Sequence, residues 1–503
     1  MTLGEMLERA VKAFPKKNAI IYRELAITYE ELNDLVNRLA NGLIDLGFQK
    51  GDRICVMMPR IPELVISFLA VARCGGIFVP LNYEFKPGQI KKIFNTLQPF
   101  GLMAQHSFLA VLQEAMSLLQ SSPQHIIVAG GDAYHPYYEF REVVNTGKSN
   151  LPPRMVSENE TVYLNYTSGS TGNAKGAITT HANIEWNTLA AIDTLGLTVD
   201  DVHLCMFAPY AHPHELFARP LYLGGTMVLL DNVYPKSLAT SISDHKVSCL
   251  MGLAPLYEML LDIVTHSTYD LSSLRIPESG GMFTPIDLLQ RFEKRFGVSI
   301  IPVWGSTETT GIAVANSPHG EQRYGSIGKP CKYYEVKIVS EKGEELPPNE
   351  VGELLFTGPA VVSGYYNAPE ETQESFTDGW YHSGDLGRKD DDGFFYFVER
   401  KSGMIKTGGL KVYPLEVENI LRTHPEIKEV AVIRASERLR GEVPKAVVVL
   451  RDGARLTSRE IMHFCQERMA RYKVPRIVEF KDELPKIGSG KINKKALELE
   501  ERQ

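Results

Sequence analysis

Residues 53–80 read RICVMMPRIPELVISFLAVARCGGIFVP, and the order of patterns within them sets the fold class. Arg53-Ile-Cys-Val-Met-Met58 reads as a buried strand, Pro62 to Ala72 as a helix, and Ile77-Phe-Val-Pro80 as a second short strand. Upstream, Thr28 precedes Glu30 and Glu31. From there Leu32, Leu35, Val36, Leu39 and Leu43 fall at helical spacing as far as Leu46, where Gly47 stops the helix. Downstream, Gly101-Leu-Met-Ala104 and Ile126-Ile-Val-Ala129 continue the alternation. This rhythm predicts an α/β architecture with largely parallel sheets.

After about Lys332 the register changes. Val336-Lys-Ile-Val339, Gly352-Glu-Leu-Leu-Phe356 and Phe394-Phe-Tyr-Phe-Val398 are short strands split by turns such as Glu341-Lys-Gly343 and Asp391-Asp-Gly393. That pattern predicts an antiparallel, barrel-like or sandwich-like piece closing the large domain. Beyond the charged, glycine-bearing run from Glu399 to Gly409 lies a compact stretch of domain size. Its strands are Val430-Ala-Val-Ile433 and Ala446-Val-Val-Val-Leu450, and its clearest helix runs from Ser458 to Tyr472.

The composition is that of a soluble globular protein: 44% of the 503 residues are apolar and 23% charged, enough for a large buried core. A net charge of −7 supplies no electrostatic reason to bind nucleic acid or an anionic membrane. The lysines near the C-terminus (Lys486, Lys491, Lys494, Lys495) are followed directly by Glu498, Glu500 and Glu501, which reads as a mixed-charge solvated face. The six cysteines are scattered, never at metal-ligand spacing, and read as small core residues in a reducing compartment. No secretory signal is recognisable, and no apolar run approaches the roughly 18 residues that span a bilayer. The closing Glu-Arg-Gln matches no peroxisomal or prenylation address. The default expectation is a cytoplasmic protein.

Five stretches carry chemistry. Tyr166-Thr-Ser-Gly-Ser-Thr-Gly-Asn-Ala-Lys-Gly176 interleaves the hydroxyls of Thr167, Ser168, Ser170 and Thr171 with Gly169 and Gly172, and Lys175 closes it. Glycines let the backbone approach a ligand. Successive N–H groups form an anion-binding concavity, and a lysine adds a compact positive charge. The loop is fit to wrap a polyphosphate, although its lysine is not at the Walker position. Trp304-Gly-Ser-Thr-Glu308 follows the apolar Val298-Ser-Ile-Ile301. Its aromatic could stack on a purine, Thr307 could donate to a phosphate, and Glu308 could hold Mg²⁺. Each of these also has an ordinary reading: core tryptophan, helix cap, surface acid. Asp385, in His382-Ser-Gly-Asp385, reads as a turn aspartate or as a carboxylate for ribose hydroxyls. Arg400 and Lys406 flank a linker that reads either as a solvated connection or as a hinge. Pro485-Lys-Ile-Gly-Ser-Gly-Lys491 is a second glycine-and-hydroxyl loop able to deliver one cation.

In this order the stretches resemble the adenylate-forming superfamily, which includes acyl- and aryl-CoA synthetases, over nearly the whole chain. The resemblance implies a large N-terminal domain, residues 1–401, made of two α/β sheet subdomains plus a distorted β-barrel. A small mobile α+β lid, residues 402–503, would carry the catalytic lysine. It implies ATP, Mg²⁺ and coenzyme A as cofactors and a small carboxylic acid as the substrate. The acid would attack the α-phosphate to give acyl-AMP and pyrophosphate, and a thiol would then displace AMP. Thr167 to Lys175, including Gly169 and Gly172, would hold the β- and γ-phosphates. Trp304, with Gly305 beside it, would stack on adenine. Thr307 would touch the α-phosphate and Glu308 would bind Mg²⁺. Asp385 and Arg400 would grip the ribose. Lys491 would serve adenylation, with Ser402 at the hinge. Lys406 and Gly408-Gly409 would serve thioester formation after the lid rotates. His212 resembles a gate beside the acyl pocket, although a satisfied loop histidine fits it nearly as well and His214 blurs the choice.

The pocket would be walled by His212 to Phe217, Ser279 to Met282 (with Gly280 and Gly281) and Thr309 to Ile312. Phe217, Met282 and Ile312 favour a fatty or aromatic acid, and Glu215 and Glu278 have no assigned place. Several positions depart from the family pattern: Ala174 for proline, Trp304 for tyrosine, Glu399 for glycine or aspartate, Ile487 for threonine and Met282 for alanine. None removes a catalytic side chain. The acceptor could instead be a carrier-protein phosphopantetheine. The absence of a fused carrier or condensation domain favours CoA. A non-catalytic nucleotide sensor is the third reading, against which Lys491 and Glu308 argue. A homodimer is left open.

Overall fold

The computed structural model describes residues 1–131, 136–167, 175–265, 269–407, 410–437, 441–486 and 491–501. The chain packs as two compact units, 1–336 with 356–381, and 337–355 with 382–503. Residues 337–355 and 382–401 therefore go with the C-terminal stretch, a different partition from a cut at 401/402.

The first unit carries two large sheets. One has seven strands in the order Tyr138–Glu139, His125–Ala129, Gly101–Gln105, Arg53–Met57, Ile77–Pro80, Thr161–Thr167, Lys175–Thr180. All its pairings are parallel except the last, where Thr161–Thr167 turns back against Lys175–Thr180. The run 53–80 sits at its centre, as the alternation predicts. The helix Pro62–Arg73 exposes little more than Glu63 and so is apolar almost all round.

The other sheet has nine strands, with Ile301–Ser306, Ile276–Ser279, Cys249–Gly252, Val202–Cys205, Thr226–Leu229 and Asn18–Tyr22 as neighbouring parallel strands. Antiparallel edges close it at Leu25–Thr28 on one side and at Gly311–Ala315 and Lys329–Pro330 on the other. The strand expected at 298–301 begins only at Ile301 and runs on through Trp304 to Ser306. The Trp304 motif therefore begins inside the strand and runs on into the turn at 307–310.

Helix starts follow local chemistry. Thr28 with Glu31 and Thr180 with Asn183 close capping boxes that satisfy otherwise orphaned N–H groups. His181, the first residue of the second of these helices (His181–Leu195), is buried and accepts from the Leu3 N–H at 3.2 Å. All six cysteines are buried and unpaired.

In the five-stranded sheet built on Trp380–Lys389, the neighbours Phe376–Thr377 and Phe395–Arg400 are antiparallel, as the change of pattern after Lys332 predicts. Asp385 stands inside its long central strand, not in a turn. In the second unit, Ile427–Glu437 and Gly441–Leu450 form an antiparallel pair beneath the helices Pro414–Arg422 and Ser458–Gln466. No helix among the described residues is long and apolar enough to cross a membrane.

Candidate active site

The phosphate-loop stretch is a hairpin whose register pairs Thr167 with Lys175. Ser168, Gly169, Ser170, Thr171, Gly172 and Ala174 lie outside the described residues. The segment Gly364–Tyr366 runs alongside the returning strand: Ile178 N–H donates to the Gly364 carbonyl at 3.0 Å, and Tyr366 N–H donates to the Gly176 carbonyl at 2.8 Å. This placement brings the Tyr365 ring to 5.4 Å from Lys175 Nζ. The Tyr365 hydroxyl donates to Glu308 Oε1 at 2.7 Å. Burial, with the charge of Glu308 acting in the same direction, raises the Tyr365 pKa far above its ordinary value and keeps the phenol a donor. The lysine that closes the loop and the carboxylate of the Trp304 motif are thereby joined through one tyrosine. Sequence reading missed Tyr365; the glycine and paired aromatics at 364–366 were its available signal.

Trp304 is buried and stacks on Phe356 at 4.1 Å with the rings 2° from parallel. At Gly305 a Cβ would come within 2.3 Å of the Gly311 carbonyl oxygen, so this strand crossing requires glycine. Thr307 Oγ1 accepts from Asn165 Nδ2 at 3.4 Å, and the same amide donates to the Ala211 carbonyl. One asparagine thus ties the Thr307 turn to the loop before His212. Thr310 holds φ at 58°, anchored by its own hydroxyl to the Ala360 carbonyl at 2.6 Å. Strained turns persist where their surroundings hold them this way.

His212 precedes the short 3-10 helix Pro213–Leu216. Burial lowers its pKa to about 4, although the nearby Glu308 charge acts the other way, so the ring is neutral at ordinary pH. His214 shares a 2.9 Å hydrogen bond with the Tyr163 hydroxyl in the interior. Of the two histidines, His212 is the one beside Glu308. Phe217 is taken up by the core, its ring 5.0 Å from Phe68, and so differs from the pocket wall expected of it. Gly280, at the end of Ile276–Ser279, donates to the Gly252 carbonyl at 3.1 Å, and Gly281 follows with φ at 75°.

Glu215 and Glu278 find their place with a residue that sequence reading did not single out, Arg219. Its Nη1 donates to both Glu278 oxygens, at 2.7 and 2.9 Å, and all three side chains are buried. Arg219 stays charged because the two carboxylates outweigh the burial that opposes its charge. Burial pushes Glu215 up to about 7 against the pull of Arg219. The wall expected to be apolar contains a buried ionic group.

In the second unit Asp385 and Arg400 are register partners on neighbouring strands, with Arg400 Nε 2.7 Å from Asp385 Oδ1. Burial and the charge of Arg400 both lower the Lys491 pKa. These three predicted residues are therefore gathered in one region. Lys406 stands exposed in the three-residue strand Ile405–Thr407, paired with Leu410–Val412, where a linker was expected. Gly408 and Gly409, between those strands, lie outside the described residues. Glu399, unusual for the family pattern, accepts from Leu415 N–H at 3.1 Å in the first turn of Pro414–Arg422, where the helix dipole favours a carboxylate.

The chain matches the family model described as AMP-binding enzyme over residues 7–366, and the AMP-binding enzyme C-terminal domain over 416–491. It is 34% identical over 501 residues to a feruloyl-CoA synthase of Amycolatopsis sp, covering 98% of this chain and 97% of the relative. It is 33% identical to a long-chain-fatty-acid–CoA ligase of Bacillus subtilis (strain 168), covering 100% and 95%. Among solved structures, the anthranilate CoA ligase AuaEII in complex with anthranoyl-AMP superposes with a TM-score of 0.93 at 28% identity, covering 100% of this chain and 97% of that one. The chain belongs to the AMP-binding enzyme family, among its acyl-CoA synthetase-like members.

Proposed function

We propose that the protein is an ATP-dependent carboxylic acid–CoA ligase that activates a fatty or aromatic acid as acyl-AMP and transfers it to CoA, releasing AMP and pyrophosphate. The observation that carries this reading is the joining of Lys175 to Glu308 through Tyr365. A cation for the outer phosphates and a carboxylate for a phosphate-bound metal ion stand together. A single buried carboxylate suits Mg²⁺, which fills its oxygen shell with substrate phosphates and water. When bound there, Mg²⁺ would neutralise phosphate charge.

Lys175 and the loop from Thr167 to Gly172 hold the β- and γ-phosphates, while Trp304 and Gly305 form the adenine wall. Thr307 donates to the α-phosphate. Asp385 accepts from the ribose hydroxyls, and Arg400 orients it. One carboxylate oxygen of the acid attacks the α-phosphorus, the bond to the bridging oxygen breaks, and pyrophosphate leaves. Lys491 donates to the oxygens where charge builds up in that step. In the second step the thiol sulfur of CoA attacks the acyl carbonyl and AMP departs. His212, neutral, gates the acyl pocket. Ser402 is the hinge between residues 1–401 and the lid 402–503, and Lys406 with Gly408 and Gly409 serves the thioester step.

Pyrophosphate exchange with a panel of fatty and aromatic acids, with and without CoA, tests the reading. Exchange with some acid, plus CoA-dependent thioester, is the expected result. Exchange without thioester points to a carrier-protein acceptor, and no exchange with any acid rejects the ligase.

A further inference from the structure

The group Glu215, Arg219 and Glu278 lies against a small cavity of about 30 Å³, lined also by His203, Phe207 and Met251. Cavities of this size hold one or two water-sized groups. Two polar atoms of its wall lack hydrogen-bond partners: Arg219 Nη2 and His203 Nε2, on side chains that are 6% and 7% exposed. Arg219 Nη1 is spent on Glu278, while Nη2 stands 3.9 Å from Glu215 Oε1. That separation is too long for a hydrogen bond and is what one bridging oxygen spans.

The cavity lies down the sheet from the reacting end. Glu278 lies in the strand two residues before the Gly280 turn that follows it, so the ionic group lies about 7 Å below that turn. Phe207, on the cavity wall, packs edge-on against His212 with ring centroids 5.9 Å apart. His212 in turn feels the charge of Glu308. Phe207 thus links the cavity wall to His212, which the ligase reading sets beside the acyl pocket.

We propose that Glu215 and Arg219 determine specificity by reading a hydroxyl at the far end of the acid. The inference rests on the ligase reading above. The hydroxyl oxygen accepts from Arg219 Nη2, and its hydrogen goes to Glu215 Oε1. A plain hydrocarbon end leaves both groups buried and unsatisfied, the arrangement by which sites reject an analogue lacking a hydroxyl. The apolar walls still bind the body of the acid, and the polar floor selects among acids that share it.

The test is adenylation by the intact protein of matched acids: phenylpropanoate against its para-hydroxy derivative, and octanoate against its omega-hydroxy derivative. At least one hydroxylated member is expected to exceed its partner in kcat/KM by tenfold or more. In Glu215→Leu that ratio should fall to about threefold or less with KM for ATP unchanged. Adenylation of both members of each pair at similar kcat/KM overturns the inference while leaving the ligase reading intact; the cavity is then a closed, water-filled hole. A preference that persists undiminished in Glu215→Leu also overturns it. Absence of exchange with every acid overturns both readings.

Discussion

Two groups of polar and charged side chains in the first unit are built by opposite routes. Lys175, Tyr365 and Glu308 come from turns and strand ends, each next to glycine or hydroxyl residues whose backbone chemistry announces a ligand. Glu215, Arg219 and Glu278 come from a 3-10 turn, a short helix and the inside of a strand, with no local signature. On the proposed reading the first would handle phosphates, which all members of such a family share, so its chemistry is written into short motifs. The second depends on a helix laid across a sheet, and only the fold assembles it. What is common to a family is therefore local in sequence, and what individualises a member is dispersed.

The strongest way to break this contrast is at Arg219. Replacing it by methionine leaves Glu278 buried and uncompensated, and the expected loss is about 3–5 kcal/mol of unfolding free energy. Adding Glu278→Gln should recover much of that loss, as urea denaturation of the single and double variants would register. If the single variant is as stable as the parent, the buried group is not structurally demanding and the contrast fails.

Next comes the lysine of the second unit. Lys491→Ala should lower adenylation by about 10²–10³-fold yet leave thioester formation from supplied acyl-AMP largely intact. Lys406→Ala should show the reverse asymmetry. Equal loss of both half-reactions in either variant removes the role assigned to it.

A smaller effect is expected from acid. Burial lowers His181 from 6.5 to about 4, so between those values the unfolded chain binds a proton that the folded chain does not. Stability is then full above pH 6.5 and is lost as the pH falls toward 4. At about pH 5 the loss from this one residue is about 2 kcal/mol. In His181→Gln, thermal midpoints measured from neutral to about pH 5 should fall less steeply than in the parent.

The smallest effect tests the phosphate side. Tyr365→Phe removes one hydrogen bond to Glu308 and should raise the Mg²⁺ concentration for half-maximal adenylation by up to about tenfold, or about 1.4 kcal/mol. An unchanged Mg²⁺ requirement would detach Tyr365 from the metal side.

Much of the architecture was legible because periodicity and turn chemistry act locally. The central strand and helix at 53–80 and the capped helix after Thr28 formed where their patterns placed them. Boundaries were less legible. The strand expected at 298–301 is carried on to Ser306 by pairing with Gly311–Ala315, which a linear pattern does not display. Asp385 read as a turn residue from its neighbours, but its register with Arg400 draws it into a ten-residue strand. Phe217 read as a pocket wall, whereas the aromatic rings of an adjoining layer claimed it. Arg219 gave no sign, and Tyr365 only the local one of a glycine and paired aromatics, because the meaning of each depends on a partner far away in sequence.

The glycine pair at 305 and 311 has a practical consequence. A Cβ at Gly305 would meet the Gly311 carbonyl, and a Cβ at Gly311 would lie 2.6 Å from Glu215 Oε1. Only main chain separates the strand carrying Trp304, the proposed adenine wall, from the Glu215 carboxylate. Anyone redesigning this protein for another acid has no side chain to trim along that boundary. New room must come from the opposite wall, from the 3-10 turn and helix that bring Glu215 and Arg219. Directed libraries are best concentrated there, with both glycines left untouched.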